Sequence, residues 1–402
     1  MRPLASLVSA LCAVSSLTLL NVDSLAAARR DWPSQRYAAE LSRYRALNRA
    51  DRARAQSFLD SLLQAAHLQH NTGLEMVMSV EHAAQHAWLD FALDEARDET
   101  QRWLPSVSTS GDTLCWCTAL RTIGFAELMS SRPVQAAPPY REMLALANRA
   151  QLTTMQGYAN LGVSYLAIQS GDLHAAERGY RTALTQLTRP EDGVPNRTAR
   201  AGLANALVTQ GRSDEARREY ERVLAESRAA GDRRNEMDAL NDLGLLEMSY
   251  GDPSRAIPYF RESAAGQRAA HREVYALTAL GNVGAAMTGV GLYDQAAAIF
   301  DSIANAARAT DAPDLAASAL AELGNIRRIQ GRLGEARAAL ERAVALRDSC
   351  SVGHWAQAVV GLVRVEALAG APARARQLAA DALSSGGDRL APPERANLLL
   401  EL

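Results

Sequence analysis

The sequence contains no lysine, because all 43 of its basic residues are arginine. This absence excludes Schiff-base chemistry, a lysine general base and the lysine of a phosphate-binding loop. Aromatic residues are also scarce, at 5% of the chain, although 48% of the residues are hydrophobic. Long stretches consist of Ala, Leu, Arg and Glu, which are strong helix formers. The composition therefore predicts an all-α protein.

Neither sign of charge is in excess, since 43 basic residues face 45 acidic ones and the formal net charge is -2. A surface that binds nucleic acid needs a surplus of basic residues, so we expect no nucleic acid partner. The chain also has no nucleophile-elbow motif and no glycine-rich phosphate loop. We therefore expect no catalysis and no cofactor.

Cysteines are few, and their spacing is uninformative. Cys12 lies in an apolar N-terminal segment, which leaves Cys115, Cys117 and Cys350 in the rest of the chain. An odd number gives no disulfide framework. Cys115 and Cys117 are too close in sequence for a relaxed mutual disulfide, and no second cysteine pair completes a zinc site. We interpret both as packed helix residues.

Two pairs of histidines have spacings that suit a metal. His82 and His86 would share one face of a helix, and His67 and His70 form a looser pair. However, no glutamate follows His82 as hydrolytic zinc motifs require, and no third ligand is identifiable. We interpret these histidines as exposed helix residues and expect no metal.

The N-terminus has the three-part layout of a secretory signal. Arg2 precedes an apolar stretch from Leu4 to Val22, and Ala26 to Ala28 offer a cleavage site. We expect residues 1–28 to be a signal peptide of an exported, periplasmic or secreted bacterial protein. An uncleaved membrane anchor is the alternative, and we expect no other membrane contact.

A glycine recurs at regular spacing in the second half of the chain, at Gly171, Gly211, Gly251, Gly291, Gly331 and Gly370. An alanine follows each glycine by five residues. Four residues further on stand Tyr180, Tyr220, Phe260, Phe300, Leu340 and Ala379. Seven residues before each glycine stand Ser164, Ala204, Gly244, Gly284, Gly324 and Val363. Because helices approach closely only where small side chains face each other, the pattern predicts stacked helix hairpins.

Leu243–Gly244, Gly251–Asp252, Ala256 and Phe260 resemble the Leu-Gly, Gly-Asp, Ala and Phe positions of the tetratricopeptide repeat family. The step from 171 to 211 is 40 residues, against about 34 in the family. This longer step resembles the bacterial form found in front of CHAT-type domains. The resemblance implies a right-handed α-solenoid of stacked antiparallel helix hairpins, a TPR-like superhelix.

We expect divergent helical hairpins at 29–112, a degenerate repeat at 113–150 and six repeats at 151–390. A C-terminal helix at 391–402 would be either a cap or the start of a truncated repeat. Asp172, Asp252 and Ser213 should cap the helices that follow their turns. Pro258 falls inside a predicted helix and should bend that helix or shift its start.

The resemblance also implies ligand contacts, because the first helix of each hairpin lines the family's concave groove. Counted from the Leu of each Leu-Gly pair, the contact positions lie two and five residues before it, or two, five and six after it. These positions hold Tyr158, Tyr165, Asn205, Asp238, Asn241, Met248, Asn325, Arg328 and Arg364. Amides, arginines and aromatics suit an extended peptide, and an ordinary solvated helix face is the alternative.

The sequence therefore predicts an exported scaffold that binds a protein or peptide partner in its groove. The family's carboxylate clamp needs lysines that this chain lacks, which argues against that class of partner. The alternative is the N-terminal sensor arm of a larger CHAT-protease-like or signalling protein. The sequence does not indicate which oligomeric state the protein adopts.

Overall fold

The computed structural model describes residues 32–189, 193–386, 390 and 392–400. The segment interpreted as a signal peptide, residues 1–28, lies outside these ranges. All regular secondary structure in the described residues is helical. No helix within these ranges combines the length and apolar composition that a membrane span needs.

Nine helices precede the gap at 190–192, and eight of them pair into four hairpins. They are α1 Pro33–Arg36, α2 Ala38–Ala50, α3 Arg52–Leu68, α4 Thr72–Gln85, α5 Leu93–Thr109, α6 Thr113–Met129, α7 Pro133–Ala150, α8 Thr153–Gln169 and α9 Leu173–Gln186. A short π-helical segment, His86–Asp90, extends α4.

The helices after this gap alternate in the same way. They are α10 Gly193–Thr209, α11 Ser213–Ala230, α12 Arg233–Tyr250, α13 Pro253–Ala269, α14 Glu273–Gly289, α15 Tyr293–Ala309, α16 Pro313–Ile329, α17 Leu333–Val344, α18 Val352–Leu368, α19 Pro372–Gly386 and α20 Pro392–Leu400. We call α2, α4, α6, α8, α10, α12, α14, α16 and α18 the first helices.

The chain forms two compact units, and the division between Ala239 and Leu240 falls within α12. We call them the N-terminal unit and the C-terminal unit. Within each unit, consecutive helices pack as antiparallel hairpins. The predicted fold class, an all-α solenoid of TPR-like hairpins, is confirmed within each unit.

Small and large residues meet inside the hairpins as the sequence pattern predicts. A Cβ atom added to Gly244 would lie 2.5 Å from Cε1 of Phe260, and one added to Gly284 would lie 2.7 Å from Cε2 of Phe300. These distances are below normal van der Waals contact, so only glycine allows the ring to seat against the first helix. The repeated large residue therefore determines how closely the two helices pack.

The same large residue also contacts the next hairpin. In the C-terminal unit, Leu340 of α17 fills the space over Gly324 of α16 and over Gly361 of α18, where added Cβ atoms would lie 2.5 and 2.7 Å away. In the N-terminal unit, Tyr140 of α7 lies in the same way between Gly124 and Gly162. One side chain thus packs two successive first helices together.

The turns between helices follow the sequence signals with one exception. Gly171 has a φ of +83°, and Asp172 accepts a hydrogen bond from the backbone N–H of Ala175 at 2.9 Å, which confirms the cap. Asp252 caps α13 in the same way through Ser254. Ser213 instead lies inside α11, whose N-cap residue is Arg212. The prediction for Ser213 was therefore wrong.

Pro258 does not interrupt its helix, since α13 starts at Pro253 and continues to Ala269. Proline lacks the N–H that would bond one turn back, but Asp252 caps the helix and Phe260 is fully buried. Tertiary packing therefore outweighs the local cost of the proline. The predicted shift of the helix start did not occur.

Each unit has its own apolar core. In the N-terminal unit, a cluster around Leu59, Met78 and Val107 joins the first hairpins. In the C-terminal unit, Phe260, Phe300 and Leu340 belong to one cluster that extends along the hairpins. A further cluster includes Leu398, which buries α20 against α18.

Candidate functional site

A cavity of about 370 Å³ opens in the C-terminal unit between α16 and α18. Its polar lining consists of Glu322, Asn325, Arg328, Gln357, Arg364 and Asn397. The first three project from α16, the next two from α18 and the last from α20. The volume lies in the range of pockets that bind small ligands or peptide side chains.

Small residues keep this cavity open. Gly353, Ala356 and Gly361 of α18 line it, and the buried side chains of Leu340 and Val360 form an apolar floor. Because Leu340 seats against both Gly324 and Gly361, the packing that joins the hairpins also supports the floor. The floor of the cavity is therefore part of the packing between the hairpins.

One side of the cavity is acidic. Glu322 is partly buried, and burial raises the pKa of its carboxyl group. Its polar contact is Nε2 of Gln357, 3.5 Å from Oε1. Among the described residues, no ion pair forms with Glu322. A carboxylate that loses water and gains no cation is disfavoured, which is why its pKa moves upward.

The other side of the cavity is basic. Nη2 of Arg328 donates to Oδ1 of Asn325 at 2.7 Å, one turn earlier on α16. This bond uses one of the five N–H donors of the guanidinium. Arg364 of α18 is exposed on the same side. The arrangement can bind a carboxylate or another anionic group.

Three of the nine predicted groove residues, Asn325, Arg328 and Arg364, thus come together at this cavity. Three others are buried within the N-terminal unit. Tyr158 and Tyr165 are 4% and 5% exposed. Asn205 accepts from the Tyr220 hydroxyl at 2.9 Å and donates to the carbonyl of Ala201. These buried side chains pack between helices.

The remaining three predicted residues lie on α12 and are half-buried. Asp238 is the one of these three that belongs to the N-terminal unit. In the C-terminal unit, Oδ1 of Asn241 accepts from Nδ2 of Asn282 at 2.9 Å, and Met248 packs against the apolar core. No ligand contact has been tested for any of the nine residues, so the groove assignment stays a prediction.

Sequence reasoning missed Glu322, Gln357 and Asn397. Gln357 could have been predicted, because it stands five residues before Leu362, which is one of the family's contact positions. Glu322 stands directly before the Leu323–Gly324 pair, where the family pattern marks no contact. Asn397 enters the cavity only because α20 packs against α18, which no repeat pattern indicates.

The first helices of the N-terminal unit carry a buried ion pair. Nε and Nη2 of Arg45 on α2 donate to the two carboxylate oxygens of Glu81 on α4 at 2.7 and 2.6 Å. Gln85 donates to the same carboxylate at 2.8 Å. Burial alone would lower the pKa of Arg45, but the charge and hydrogen bonds of Glu81 raise it overall.

Arg121 continues this buried set on α6. Its Cζ lies 4.0 Å from the ring centre of Trp88 and 4.3 Å from that of Tyr158, so the guanidinium is stacked between two aromatic faces. Within the described residues, no acceptor meets the geometric criteria for a hydrogen bond with its three guanidinium nitrogens. Burial lowers its pKa, and Tyr158 and Glu81 partly oppose that shift.

The paired histidines contact carboxylates and each other. Nδ1 of His82 lies 3.2 Å from Oε2 of Glu99, and the rings of His82 and His86 are 4.1 Å apart. Across the residues that the structure describes, no three side chains of His, Cys, Asp or Glu converge in a way that could hold a metal ion. Cys115 and Cys117 are buried, and burial raises the pKa of the Cys117 thiol to about 12.

Comparison with known proteins gives a family match in two places. The tetratricopeptide repeat model matches residues 196–269 and again residues 317–350. The second match includes most of α16 and all of α17, which support one side of the cavity. No curated protein is significantly similar in sequence to the chain.

Solved structures with the same fold share little sequence identity with this chain. The apo form of RapI has a TM-score of 0.61 at 11% identity, over 87% of this chain and 98% of that chain. A signal transduction ATPase with a tetratricopeptide repeat sensor, from Pyrococcus horikoshii, has a TM-score of 0.61 at 15% identity, over 86% of this chain and 52% of that chain.

A Rap protein complexed with competence and sporulation factor is also similar. Its TM-score is 0.57 at 15% identity, over 86% of this chain and 100% of that chain. At such identities the likeness shows the fold alone. The repeated pairing of small and large residues and the helical hairpins agree with the two family matches, which show similarity to tetratricopeptide repeats at residues 196–269 and 317–350.

Proposed function

We propose that the protein is a scaffold without catalysis of its own that binds an extended peptide, or a peptide segment of a protein, at the cavity between α16 and α18. The observation that carries this proposal is the cavity itself. It combines an apolar floor with six polar side chains from three helices.

This lining suits a peptide for a physical reason. An extended peptide presents backbone N–H and C=O groups that need acceptors and donors, and side chains that need apolar space. Asn325, Gln357 and Asn397 each carry both a donor and an acceptor, while Leu340 and Val360 supply apolar surface. The small residues of α18 allow a backbone to approach closely.

The similar structures support the same kind of ligand. One of them is a Rap protein complexed with competence and sporulation factor, and its fold extends over most of this chain. The proposal that this chain binds the same kind of ligand rests on similarity of fold alone, so the residues that bind must be identified by experiment.

A second candidate function is the sensor arm of a larger signalling or CHAT-protease-like protein. The Pyrococcus horikoshii protein favours it, because its structure contains a tetratricopeptide repeat sensor and this chain spans about half of its length. Sequencing the gene beyond the codon for Leu402 tests this candidate. A further coding domain would support it, and a stop codon would count against it.

We also propose export to the periplasm or outside the cell, on the basis of the apolar segment before Ala28. Fractionation of cells that express the full chain with a C-terminal tag tests this. Export with cleavage predicts tagged protein outside the cytoplasm with the N-terminal segment removed. Full-length protein in the cytoplasm alone would contradict it.

The peptide-binding proposal is tested with a display library of random seven-residue peptides selected on the full-length protein. Gln357→Trp places a large ring in the cavity from an exposed position. We expect selected peptides to lose at least about tenfold in affinity for this variant, or about 1.4 kcal/mol. Gln377→Trp, at an exposed position of α19, is the matched control and should bind normally. Selected peptides that bind both variants as tightly as the native protein would refute the cavity assignment.

A further inference from the structure

The cavity has one acidic end and one basic end. Its two main helices, α16 and α18, run side by side in the same direction, so residues at similar positions along them lie next to each other. Near their N-terminal ends, the backbone N–H of Ser351 donates to Oδ1 of Asp314 at 2.6 Å. Further along, Gln357 of α18 lies beside Glu322 of α16. Arg328 and Arg364 follow on the same two helices, toward their C-terminal ends. The acidic and basic groups thus lie at successive levels of the cavity.

Helix geometry sets the distance between the two ends. At a rise of about 1.5 Å per residue, Glu322 and Arg328 are about 9 Å apart along the axis of α16. The corresponding separation of Gln357 and Arg364 on α18 is about 10 Å. A guanidinium in contact with Glu322 would lower its pKa, whereas burial raises it. The acidic and basic groups are therefore separated along both helices.

An extended peptide matches this separation. Side chains at positions i and i+2 project from the same face, and their Cα atoms are about 6.6 Å apart. This spacing is about 2–3 Å shorter than the separation of the two ends, and flexible side chains such as those of Lys, Arg and Glu can span the difference. A basic group would give Glu322 the cation that it lacks among the described residues, and an acidic group would pair with the arginines.

We propose that the cavity selects a peptide segment with a basic and an acidic residue separated by one residue. The basic side chain binds Glu322 and Gln357, and the acidic side chain binds Arg328 and Arg364. This inference rests on the proposed peptide-binding function and adds a ligand class to it. It also fixes the orientation of the bound peptide along α16 and α18, because a peptide with the two charged residues in the opposite order would have to bind in the reverse orientation.

The test uses the random seven-residue library on the full-length protein and on two variants, Glu322→Gln and Arg364→Gln. Glu322→Gln removes a charge with almost no change in volume, and Arg364→Gln removes a charge while keeping a shorter polar side chain. We expect peptides selected on the native protein to be enriched in Lys or Arg two positions from Asp or Glu. Peptides selected on Glu322→Gln should lose the basic residue only, and those selected on Arg364→Gln should lose the acidic residue only.

Fluorescence anisotropy with the selected peptides then measures each charge separately. Replacing the basic residue with Ala should weaken binding to the native protein at least tenfold, and should change binding to Glu322→Gln less than twofold. If Gln357→Trp blocks the selected peptides but they contain no such pair, the charge-pair inference is overturned and peptide binding stands. If Gln357→Trp blocks none of them, the proposed function is overturned as well.

Discussion

In the N-terminal unit, Arg45 and Glu81 of two first helices are buried against each other, whereas in the C-terminal unit charged residues of α16 and α18 line an open cavity. Arg45 and Glu81 form two short hydrogen bonds and are shielded from water. Within the part of the chain that the structure describes, Glu322 has no such partner, and the nearby Arg328 and Arg364 line the same cavity. Charged residues on first helices thus hold two helices together in one place and line the proposed binding site in another.

The packing of the hairpins, by contrast, is the same in both units. Tyr140 in the N-terminal unit and Leu340 in the C-terminal unit each lie between two glycines of successive first helices. The difference between the units therefore comes from the charged residues on the first helices, and not from the hairpin itself. Substitutions can test each half of this comparison.

The largest effect is expected for Glu81→Ala in the N-terminal unit. Removing this carboxylate leaves the guanidinium of Arg45 buried without a counter-charge, which costs about 3–5 kcal/mol. Urea unfolding followed by circular dichroism measures the loss. Glu273→Ala is the control, because its pair with Arg268 is about half exposed and should contribute no more than about 1 kcal/mol. Equal effects of the two substitutions would contradict the distinction between buried and exposed pairs.

A smaller effect is expected where glycine is needed for packing. An added Cβ in Gly324→Ala would press on Leu340, and one in Gly162→Ala would press on Tyr140. Overpacking of this kind costs about 1–3 kcal/mol, and we expect similar losses in the two units.

Gly334→Ala is the matched control for the glycine substitutions. Gly334 also lies in a helix, but an added Cβ there meets no atom within 4 Å. Alanine has the higher helix propensity, so this variant should be more stable by about 0.5–1 kcal/mol. Thermal unfolding measures all three variants. A loss at Gly334 as large as that at Gly324 would show that contact with Leu340 is not what makes Gly324 necessary.

The sequence was sufficient to predict the hairpins because their packing depends on residue size at fixed spacing. Gly244 with Phe260, and Gly284 with Phe300, meet as predicted. The binding positions were harder to predict, because the same position can be buried or exposed according to its neighbours. Asn205 and Asn325 occupy equivalent positions two residues after the Leu, yet Tyr220 covers the first while the second lines the cavity. Charge pairing across hairpins, as between Arg45 and Glu81, follows no repeat pattern.

The smallest effect is expected for the stability of Glu322→Gln. Because burial raises the pKa of Glu322, the folded protein holds this proton more tightly than the unfolded chain does. Below a pH of about 4.3, the pKa of glutamate in the unfolded chain, ionisation of Glu322 costs the folded protein no stability. The loss of stability develops as the pH rises from there through the higher pKa of the folded protein. Glutamine removes the cost, so the variant should melt about 2 °C higher at pH 8 and no higher at pH 4.

Glu221→Gln, at an exposed position of α11, is the control for this pH series and should leave the melting temperature unchanged at both values. The same Glu322→Gln variant should bind peptides with a basic residue less tightly. Higher stability together with weaker binding is expected of a residue kept for a ligand, because its unpaired charge is a cost only while the cavity holds no cation. A variant that is less stable at pH 8 would instead place Glu322 among the packing residues, like Glu81 in the N-terminal unit.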